Sequence, residues 1–145
     1  MRLRPPIIGL FLIILSMILH FWVPIKKIIV FPYSLLGIVG IVLGLGIVLW
    51  GKETFQRLGT SVRFEKPKKL VMSGPYRSTR NPIYLGYIII LLGISVLLGS
   101  IIAFVSPVTF FLIMNFIVIP FEEEWLKRIF GKKYEKYKKQ VRRWV

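Results

Sequence analysis

Four long apolar runs constrain the fold of this chain more strongly than any other feature of its sequence. A helix needs about 20 residues, at ~1.5 Å each, to cross the hydrocarbon core of a bilayer. The runs predict membrane spans at about residues 7–24, 31–50, 83–98 and 101–120. With 55% hydrophobic residues and a mean hydropathy of +0.69, the chain of 145 residues is too apolar for an ordinary soluble domain. We therefore expect one all-α integral membrane domain that covers residues 1–145.

Small residues in these runs predict how the helices pack. Gly37, Gly40 and Gly44 fall near one helical face, and the Gly40-xxx-Gly44 spacing permits the close approach of a neighbouring helix. Only Gly99 and Ser100 separate the third and fourth runs, which predicts an antiparallel hairpin. The third run is short for a span, so we expect it to be tilted or to end at a shallow depth.

The distribution of the 21 Lys and Arg residues predicts the orientation of the chain. Two of them precede the first run, eight lie at 52–80 and nine at 121–145, whereas the first and third connections carry two and none. The positive-inside rule therefore places both termini and a loop at 51–82 on the cytoplasmic side of the cell membrane. The basic tail at 121–145 carries apolar residues at spacings of three and four, which predicts an amphipathic helix in the interface, with a candidate break at Gly131.

The net charge of +15 bears on the partners of the protein. A soluble protein with this charge would be expected to bind nucleic acid. Here the charges flank apolar runs, so we expect the protein to contact anionic membrane lipids and not nucleic acid.

Missing residue types exclude several kinds of site. The chain has no Cys and no Asp, and its only His is His20. Thiolate nucleophiles, zinc–thiolate sites, Ser-His-Asp triads and His-rich metal sites cannot be assembled from this composition, so no metal site is expected. Acid–base chemistry must come from the six glutamates, which are Glu53, Glu65, Glu122, Glu123, Glu124 and Glu135.

The segment 70–86, LVMSGPYRSTRNPIYLG, is a polar loop that leads into the third span. Pro75 and Pro82 bias the residues before them away from helical geometry, and Pro82 also suits the first position of a helix. Tyr76 and Arg80 lie between these two prolines. A stiff loop with this many hydrogen-bonding groups is typical of a binding site rather than a linker.

Three consecutive carboxylates, Glu122, Glu123 and Glu124, follow the fourth run. Their mutual repulsion would be relieved by a positive partner, and the alternative is an acidic helix start that complements the helix dipole. Asn115 precedes Glu122 by seven positions, so the two share nearly one face if the helix continues, and we expect Glu122 to point inward. The amide of Asn115 needs a partner at this depth, either a neighbouring helix or a ligand.

Together, the loop and the acidic segment resemble the isoprenylcysteine carboxyl methyltransferase-like family, whose members are integral-membrane enzymes related to the phospholipid N-methyltransferases. The loop is similar to the family pattern tSGpYr..RHPxYlG. Some 36 residues later, EEEWLKRIFGKKYEKYKKQVRRW is similar to the pattern EE..L...FG..Y..Y...V.R. The order and separation of the two motifs make the resemblance specific, and it covers residues 59–144. The resemblance implies S-adenosyl-L-methionine as the cofactor.

The resemblance also implies which residues form the site. Carried over by position, the cofactor site comprises Leu70, Val71, Tyr76, Asn81, Pro82, Ile83, Tyr84 and Glu122. The acidic pair of the family corresponds to Glu122 and Glu123, which with Arg80 are the implied catalytic residues. Glu122 would face the cationic parts of the donor, and Arg80 and Tyr84 its carboxylate. Asn81 replaces the usual His of the family, and an amide exchanges hydrogen bonds but carries no proton at neutral pH.

The implied reaction is methyl transfer to a carboxyl, or to an amine, of a lipid-like or hydrophobic acceptor. An ionised carboxyl needs no base, whereas an amine would need Glu122 or Glu123. Val118 stands where the eukaryotic enzymes have a basic residue for substrate, so a prenylcysteine substrate is not implied. Two alternatives stay open: N-methylation of a phospholipid headgroup, and a non-catalytic membrane protein that binds anionic lipid through its basic loops.

Overall fold

The computed structural model describes residues 5–22, 27–59 and 69–145, and the regular elements in these ranges are all helical. They are α1 (Pro5–Trp22), α2 (Leu36–Arg57), α3 (Pro82–Leu98), α4 (Val105–Ile113), α5 (Ile119–Phe130) and α6 (Lys132–Gln140). Short 3₁₀ turns cover Tyr33–Leu35, Gly74–Arg77 and Ile101–Phe104, and a π-helical segment, Met114–Val118, joins α4 to α5. The all-α prediction is confirmed for the described residues. Residues 23–24 of the first predicted span and 60–68 of the predicted loop lie outside them.

Three helical stretches are long and apolar enough to cross a membrane, namely Pro5–Trp22, Tyr33–Arg57 and Ile101–Phe130. Helix α3 is also apolar but shorter, with 17 residues. Large apolar side chains are exposed along α1 and α2, as lipid-facing helices require. The chain is therefore an integral membrane protein.

Two predicted boundaries are corrected by the structure. Helix α2 continues to Arg57, so residues 51–57 of the predicted loop are helical, and the Arg57 guanidinium pairs with Glu53 at 2.7 Å, one turn earlier. The last span continues into α5, so residues 121–130 extend this helix and do not begin a separate tail. Gly131, with φ 50° and ψ −127°, separates α5 from α6 at the predicted break. Residues 141–145 lie beyond the end of α6.

Glycines bring α2 and α3 into close contact. A Cβ atom added at Gly44 would lie 2.7 Å from the carbonyl oxygen of Gly86, and one at Gly40 would lie 3.2 Å from the Cα of Gly93. A Cβ at Gly37 would also collide with the carbonyl of Gly93. As the residue number increases along α2, the number of the residue that it contacts on α3 decreases, so the two helices are antiparallel. The predicted close packing through Gly40 and Gly44 is confirmed.

The core of the bundle lies between α1, α3 and the helix that begins at Val105. Phe110, Met114 and Ile119 are completely buried there and pack with Leu12 and Leu91. Buried hydroxyl groups add hydrogen bonds around this core. Ser16 of α1 and Ser95 of α3 both donate to the carbonyl of Ala103 in the 3₁₀ turn, at 3.1 and 2.8 Å, and Ser106 of α4 donates to the carbonyl of Leu12 at 3.0 Å. These bonds satisfy polar groups that would otherwise be unpaired in an apolar interior.

The predicted connection between the third and fourth runs is also confirmed. Gly99 ends α3 in the left-handed conformation, with φ 69°, and a 3₁₀ turn begins at Ile101. A side chain at Gly99 would both strain this conformation and collide with the carbonyl of Ile29. The turn returns the chain toward the end of α3 that carries Pro82, where the polar loop lies.

Candidate active site

The π-helical segment Met114–Val118 sets the register of the acidic residues that follow it. Each i→i+5 hydrogen bond of a π-helix encloses one residue more than the i→i+4 bond of an α-helix. Residues beyond the segment are therefore displaced by about one position around the helix. Arg143 contacts Asn115 and Glu123 together, with Nη1 3.3 Å from Asn115 Oδ1 and Nε 3.1 Å from Glu123 Oε1. The face of Asn115 is thus continued by Glu123, and not by Glu122 as α-helical spacing predicted.

The amide of Asn115 has a partner that neither sequence alternative included. Its Oδ1 accepts hydrogen bonds from the guanidinium of Arg143 and, at 3.1 Å, from the indole Nε1 of Trp144. The ring of Trp144 also packs on Phe111, with ring centroids 5.2 Å apart. The amide oxygen of Asn115 is therefore bound by the non-helical segment that follows α6.

Glu123 is bound by three cations, and we call this group the Glu123 cluster (Arg80, Glu123, Lys138 and Arg143). Arg80 Nη1 lies 2.9 Å from Oε1, and Lys138 Nζ lies 3.0 Å from Oε2. Arg143 donates from both Nε and Nη2 at 3.1 Å. The side chains of Arg80 and Glu123 are only 8% and 10% exposed. The Glu123 side chain is thus almost fully covered by its partners, because the π-helical segment turns it toward Arg143 and the start of α3.

Glu122 has a different environment, which we call the Tyr84–Glu122 pair. The Tyr84 hydroxyl, one turn into α3, donates a hydrogen bond of 2.6 Å to Glu122 Oε1. Both residues are partly buried, and within the described ranges no Lys or Arg forms an ion pair with Glu122. Glu124 is exposed and pairs with Arg128 at 2.8 Å on the surface. The three consecutive carboxylates therefore have three distinct environments.

Helix α6 covers the polar loop. Leu70 is buried against Tyr134 and Tyr137 of this helix. The Tyr137 hydroxyl donates a hydrogen bond of 2.7 Å to the carbonyl of Tyr76. Burial raises the pKa of Tyr134 and Tyr137 above the ordinary value of a phenol, so both side chains are neutral at neutral pH.

Tyr76, one of the predicted cofactor residues, lies in the 3₁₀ turn of the loop before α3. Its ring is buried and packs edge-on against Phe55 of α2, with ring centroids 5.2 Å apart. Its hydroxyl lies 3.7 Å from the position of a Cβ atom on Gly51, so a side chain there would encroach on it. Burial is the main cause that raises the pKa of Tyr76, and the nearby Tyr137 and Glu122 raise it further.

The C-terminal segment 142–144 binds the residues that precede α3. The backbone N–H of Arg80 donates to the carbonyl of Arg142 at 3.0 Å. Thr79 Oγ1 and Asn81 Nδ2 both donate to the carbonyl of Arg143, at 3.1 and 2.9 Å. Asn81 occupies the N-cap position of α3, but its side chain does not cap the helix.

Most of the predicted residues therefore lie in one region, where side chains from the start of α3, from α5 and from α6 meet. Pro82 is the buried first residue of α3, Ile83 packs on Gly51 of α2, and Val71 is buried. Sequence reasoning missed Arg143, Lys138 and Tyr137. The final Arg of the V.R motif, which corresponds to Arg143, is the signal that could have identified it.

A cavity of about 360 Å³ opens beside this region, between the end of α2 and the loop. Its lining residues are Trp50, Glu53, Thr54, Arg57, Leu58, Ser73 and Gly74. None of the predicted cofactor residues lines this cavity, so it does not by itself identify their ligand.

The helices and the carboxylate contacts define an integral membrane protein with a charged and aromatic site at one end of its helices. The model of the phospholipid methyltransferase family matches residues 32–133, which is well over half of the chain. The chain therefore belongs to the phospholipid methyltransferase family. The predicted resemblance to the isoprenylcysteine carboxyl methyltransferase-like family, which is related to it, is confirmed by the relatives described next.

Several curated proteins are similar to this chain. The probable protein-S-isoprenylcysteine O-methyltransferase of Oryza sativa subsp. indica is 32% identical over 74% of this chain and 58% of its own length. Protein-S-isoprenylcysteine O-methyltransferase B of Arabidopsis thaliana is 35% identical, over 72% and 52%. The protein-S-isoprenylcysteine O-methyltransferase of Schizosaccharomyces pombe is 38% identical, over 61% and 37%. The chain thus spans about half the length of these relatives, or less, and no solved structure matches it.

Proposed function

We propose that the protein is an S-adenosyl-L-methionine-dependent membrane methyltransferase that acts on a carboxyl group of a lipid-like or hydrophobic acceptor. Membership of the family supports methyl transfer, and the names of the relatives support a carboxyl as the acceptor. Because the chain spans only part of the length of those relatives, the arrangement of its own residues must also support the proposed activity and acceptor.

The Tyr84–Glu122 pair is the observation that carries the proposal. Glu122 is a partly buried carboxylate that is held by a phenol at 2.6 Å and forms no ion pair within the described ranges. A carboxylate that is partly removed from water is stabilised by a positive partner. Glu122 therefore suits the sulfonium and ammonium groups of the methyl donor.

The residues around this pair fit the rest of the donor. When bound, S-adenosyl-L-methionine supplies a methyl group that is activated by its sulfonium. We assign Leu70, Val71, Tyr76, Asn81, Pro82, Ile83, Tyr84 and Glu122 to its binding site. The apolar members of this set would exclude water, and the phenols would orient the donor through hydrogen bonds.

The Glu123 cluster suits an anionic acceptor. Three cations surround a single carboxylate, which leaves a formal surplus of two positive charges. An ionised carboxyl group would be attracted to this surplus and needs no base, because it has no proton to lose. We assign Arg80 to the orientation of the acceptor and Glu123 to holding Arg80. An amine acceptor would instead need a base, which we assign to Glu122, since Glu123 is already bound by cations.

We further propose that the site lies on the cytoplasmic face of the cell membrane, in a single domain of four spans. Contacts between α2 and α3 extend from Gly93 and Gly37 to Ile83 and Gly51, so α3 lies at the depth of α2 and acts as a span despite its length. The positive-inside rule supports cytoplasmic termini. A soluble donor would then enter from the cytosol and the acceptor from the bilayer, with α6 in the interface.

Binding of S-adenosylhomocysteine to the purified protein in detergent tests this proposal. We expect calorimetric titration to show binding, and Glu122→Gln to weaken it at least about tenfold, because a charge-assisted contact contributes about 1.5–3 kcal/mol. Glu124→Gln is the matched control, since the same change there affects only a surface ion pair with Arg128. Absence of binding to the folded protein, or an equal loss in both variants, would contradict the proposal.

The description of the family favours a second candidate, N-methylation of a phospholipid headgroup. Radiolabelled donor incubated with native membranes separates the two reactions, because base releases the label of a methyl ester as methanol and leaves an N-methyl group in place. Label that withstands base would therefore support the headgroup. Failure to label any product, together with failure to bind the donor, would support a non-catalytic protein that binds anionic lipid.

A further inference from the structure

We propose that Asn81 is a positioning residue: its side-chain amide holds the C-terminal segment 142–144 against the site, and Arg143 of this segment keeps Glu123 beside Arg80. The contacts themselves do not depend on which reaction the protein catalyses, whereas their effect on catalysis rests on the proposed function. The proposal gives a role to a non-helical chain end that the sequence pattern did not place in the site.

The chemistry of the partners fixes how the Asn81 side chain is used. A carbonyl oxygen only accepts hydrogen bonds, so the contact of 2.9 Å with the carbonyl of Arg143 requires the NH₂ group of Asn81 as the donor. Thr79 donates to the same carbonyl at 3.1 Å, and the backbone N–H of Arg80 donates to the carbonyl of Arg142 at 3.0 Å. Three consecutive residues before α3 therefore bind two consecutive carbonyls of the segment.

The opposite side of the segment is bound to the last membrane helix. Arg143 Nη1 and Trp144 Nε1 donate to Asn115 Oδ1 at 3.3 and 3.1 Å. Arginine and the indole nitrogen are donors only, so Asn115 must present its oxygen here. The two asparagines of the chain thus hold one segment with opposite chemical groups, Asn81 as a donor and Asn115 as an acceptor.

The consequence of this arrangement lies in the Glu123 cluster. Arg143 reaches Glu123 through Nε and Nη2, and Arg80 reaches the same carboxylate at 2.9 Å. The side chain of Arg143 is 31% exposed, whereas that of Arg80 is 8% exposed, so Arg143, together with Lys138, closes the cluster from the solvent side. Release of the segment would open this side and leave Arg80 and Glu123 free to change their geometry. Asn81 would therefore act through Arg143, and not as a proton acceptor.

Hydrogen exchange at the Arg80 amide tests the structural part of the proposal. Asn81→Asp places an acceptor against a carbonyl, and Asn81→Ala removes the donor without adding a charge. We expect both variants to speed exchange of this amide about tenfold, as the loss of one hydrogen bond would. Asn115→Asp is the matched control, because it makes the same substitution where an acceptor is required, and we expect no acceleration. Amides within α3 report whether the fold is intact. Unchanged exchange in both Asn81 variants, or equal acceleration in Asn115→Asp, would overturn the proposal.

Methylation assays test the catalytic part. If Asn81 acts through Arg143, the rates of Asn81→Ala, Arg143→Gln and the double variant should all be lower than that of the wild type by a similar factor, because coupled residues are not additive. Asn81→Asp should be no more active than Asn81→Ala, whereas a catalytic base would be preserved by Asp. Additive losses, or an Asn81→Asp variant that is more active than Asn81→Ala, would overturn the positioning role. If the wild type binds no donor while the exchange results hold, the proposed function fails and the structural contact stands.

Discussion

The hydroxyl of Tyr84 donates a 2.6 Å hydrogen bond to Glu122 across 38 positions of the sequence. It joins the first turns of α3 to the acidic residues of α5, so each of the two sequence motifs contributes one partner. If this pair faces the methyl donor, as proposed, the bond orients the carboxylate.

Tyr84→Phe should therefore weaken binding of S-adenosylhomocysteine at least about tenfold, because a hydrogen bond to a charged group contributes about 1.5–3 kcal/mol. Tyr87→Phe is the matched control on the same helix, where the ring packs on Phe110 with centroids 6.0 Å apart. Calorimetric titration of both variants measures the difference. Equal affinities in Tyr84→Phe and the wild type would remove Tyr84 from the donor site.

Glu123→Gln should mainly lower stability. The substitution leaves Arg80, Lys138 and Arg143 around a neutral amide, and removal of one partner from a buried ion pair costs about 3–5 kcal/mol. Thermal unfolding in detergent should show a clear decrease for this variant and almost none for Glu124→Gln, whose carboxylate is exposed. A Glu123→Gln variant as stable as the wild type would show that the cluster does not stabilise the fold.

Gly44→Ala should separate α2 from α3, because its Cβ would lie 2.7 Å from the carbonyl oxygen of Gly86. Overpacking of this kind costs about 1–3 kcal/mol. Gly46→Ala, two positions away on the same helix, meets nothing within 4 Å and should leave stability unchanged or slightly raised. Unfolding curves of the two variants in the same detergent make the comparison. Because alanine favours a helix more than glycine does, a similar loss in both variants would contradict a specific role for the contact between Gly44 and α3.

The buried phenols predict an alkaline limit to stability. Burial raises the pKa of Tyr137 in the folded state above its unfolded value of about 10. The stability that this difference contributes is complete below pH ~10 and is lost as the pH rises further, because the unfolded chain then releases a proton that the folded chain retains. Tyr137→Phe should cost about 1 kcal/mol at neutral pH, through loss of the bond to the Tyr76 carbonyl, and should make the decline above pH ~10 less steep. Unfolding free energies measured on both sides of this pH check the slope, and an unchanged slope would contradict the prediction.

Some features of the fold and of the site could be predicted because they depend on local pattern. The apolar runs identified the helices of the described ranges, and the glycine spacing identified the face of α2 that contacts α3. The two motifs identified the family, and they predicted that Tyr84 and Glu122 lie close together, as their hydrogen bond shows. The ends of the helices were less accurate: α2 continues to Arg57, because no proline stops it, and the last span continues into α5.

The sequence by itself therefore determined the membrane-helix class of the protein, its family and the two segments that carry its polar residues. Only the tertiary structure decided which carboxylate binds the three cations, what Asn115 binds and where Arg143 lies. The π-helical segment Met114–Val118 shifts the register of the helix by about one residue, and the spacing of apolar residues in the sequence does not predict this shift. Arg143 meets Glu123, Asn115 and Asn81 because α6 and the residues after it fold back over the start of α3. Such contacts depend on the packing of segments far apart in the chain, whereas periodicity and composition report only on neighbours.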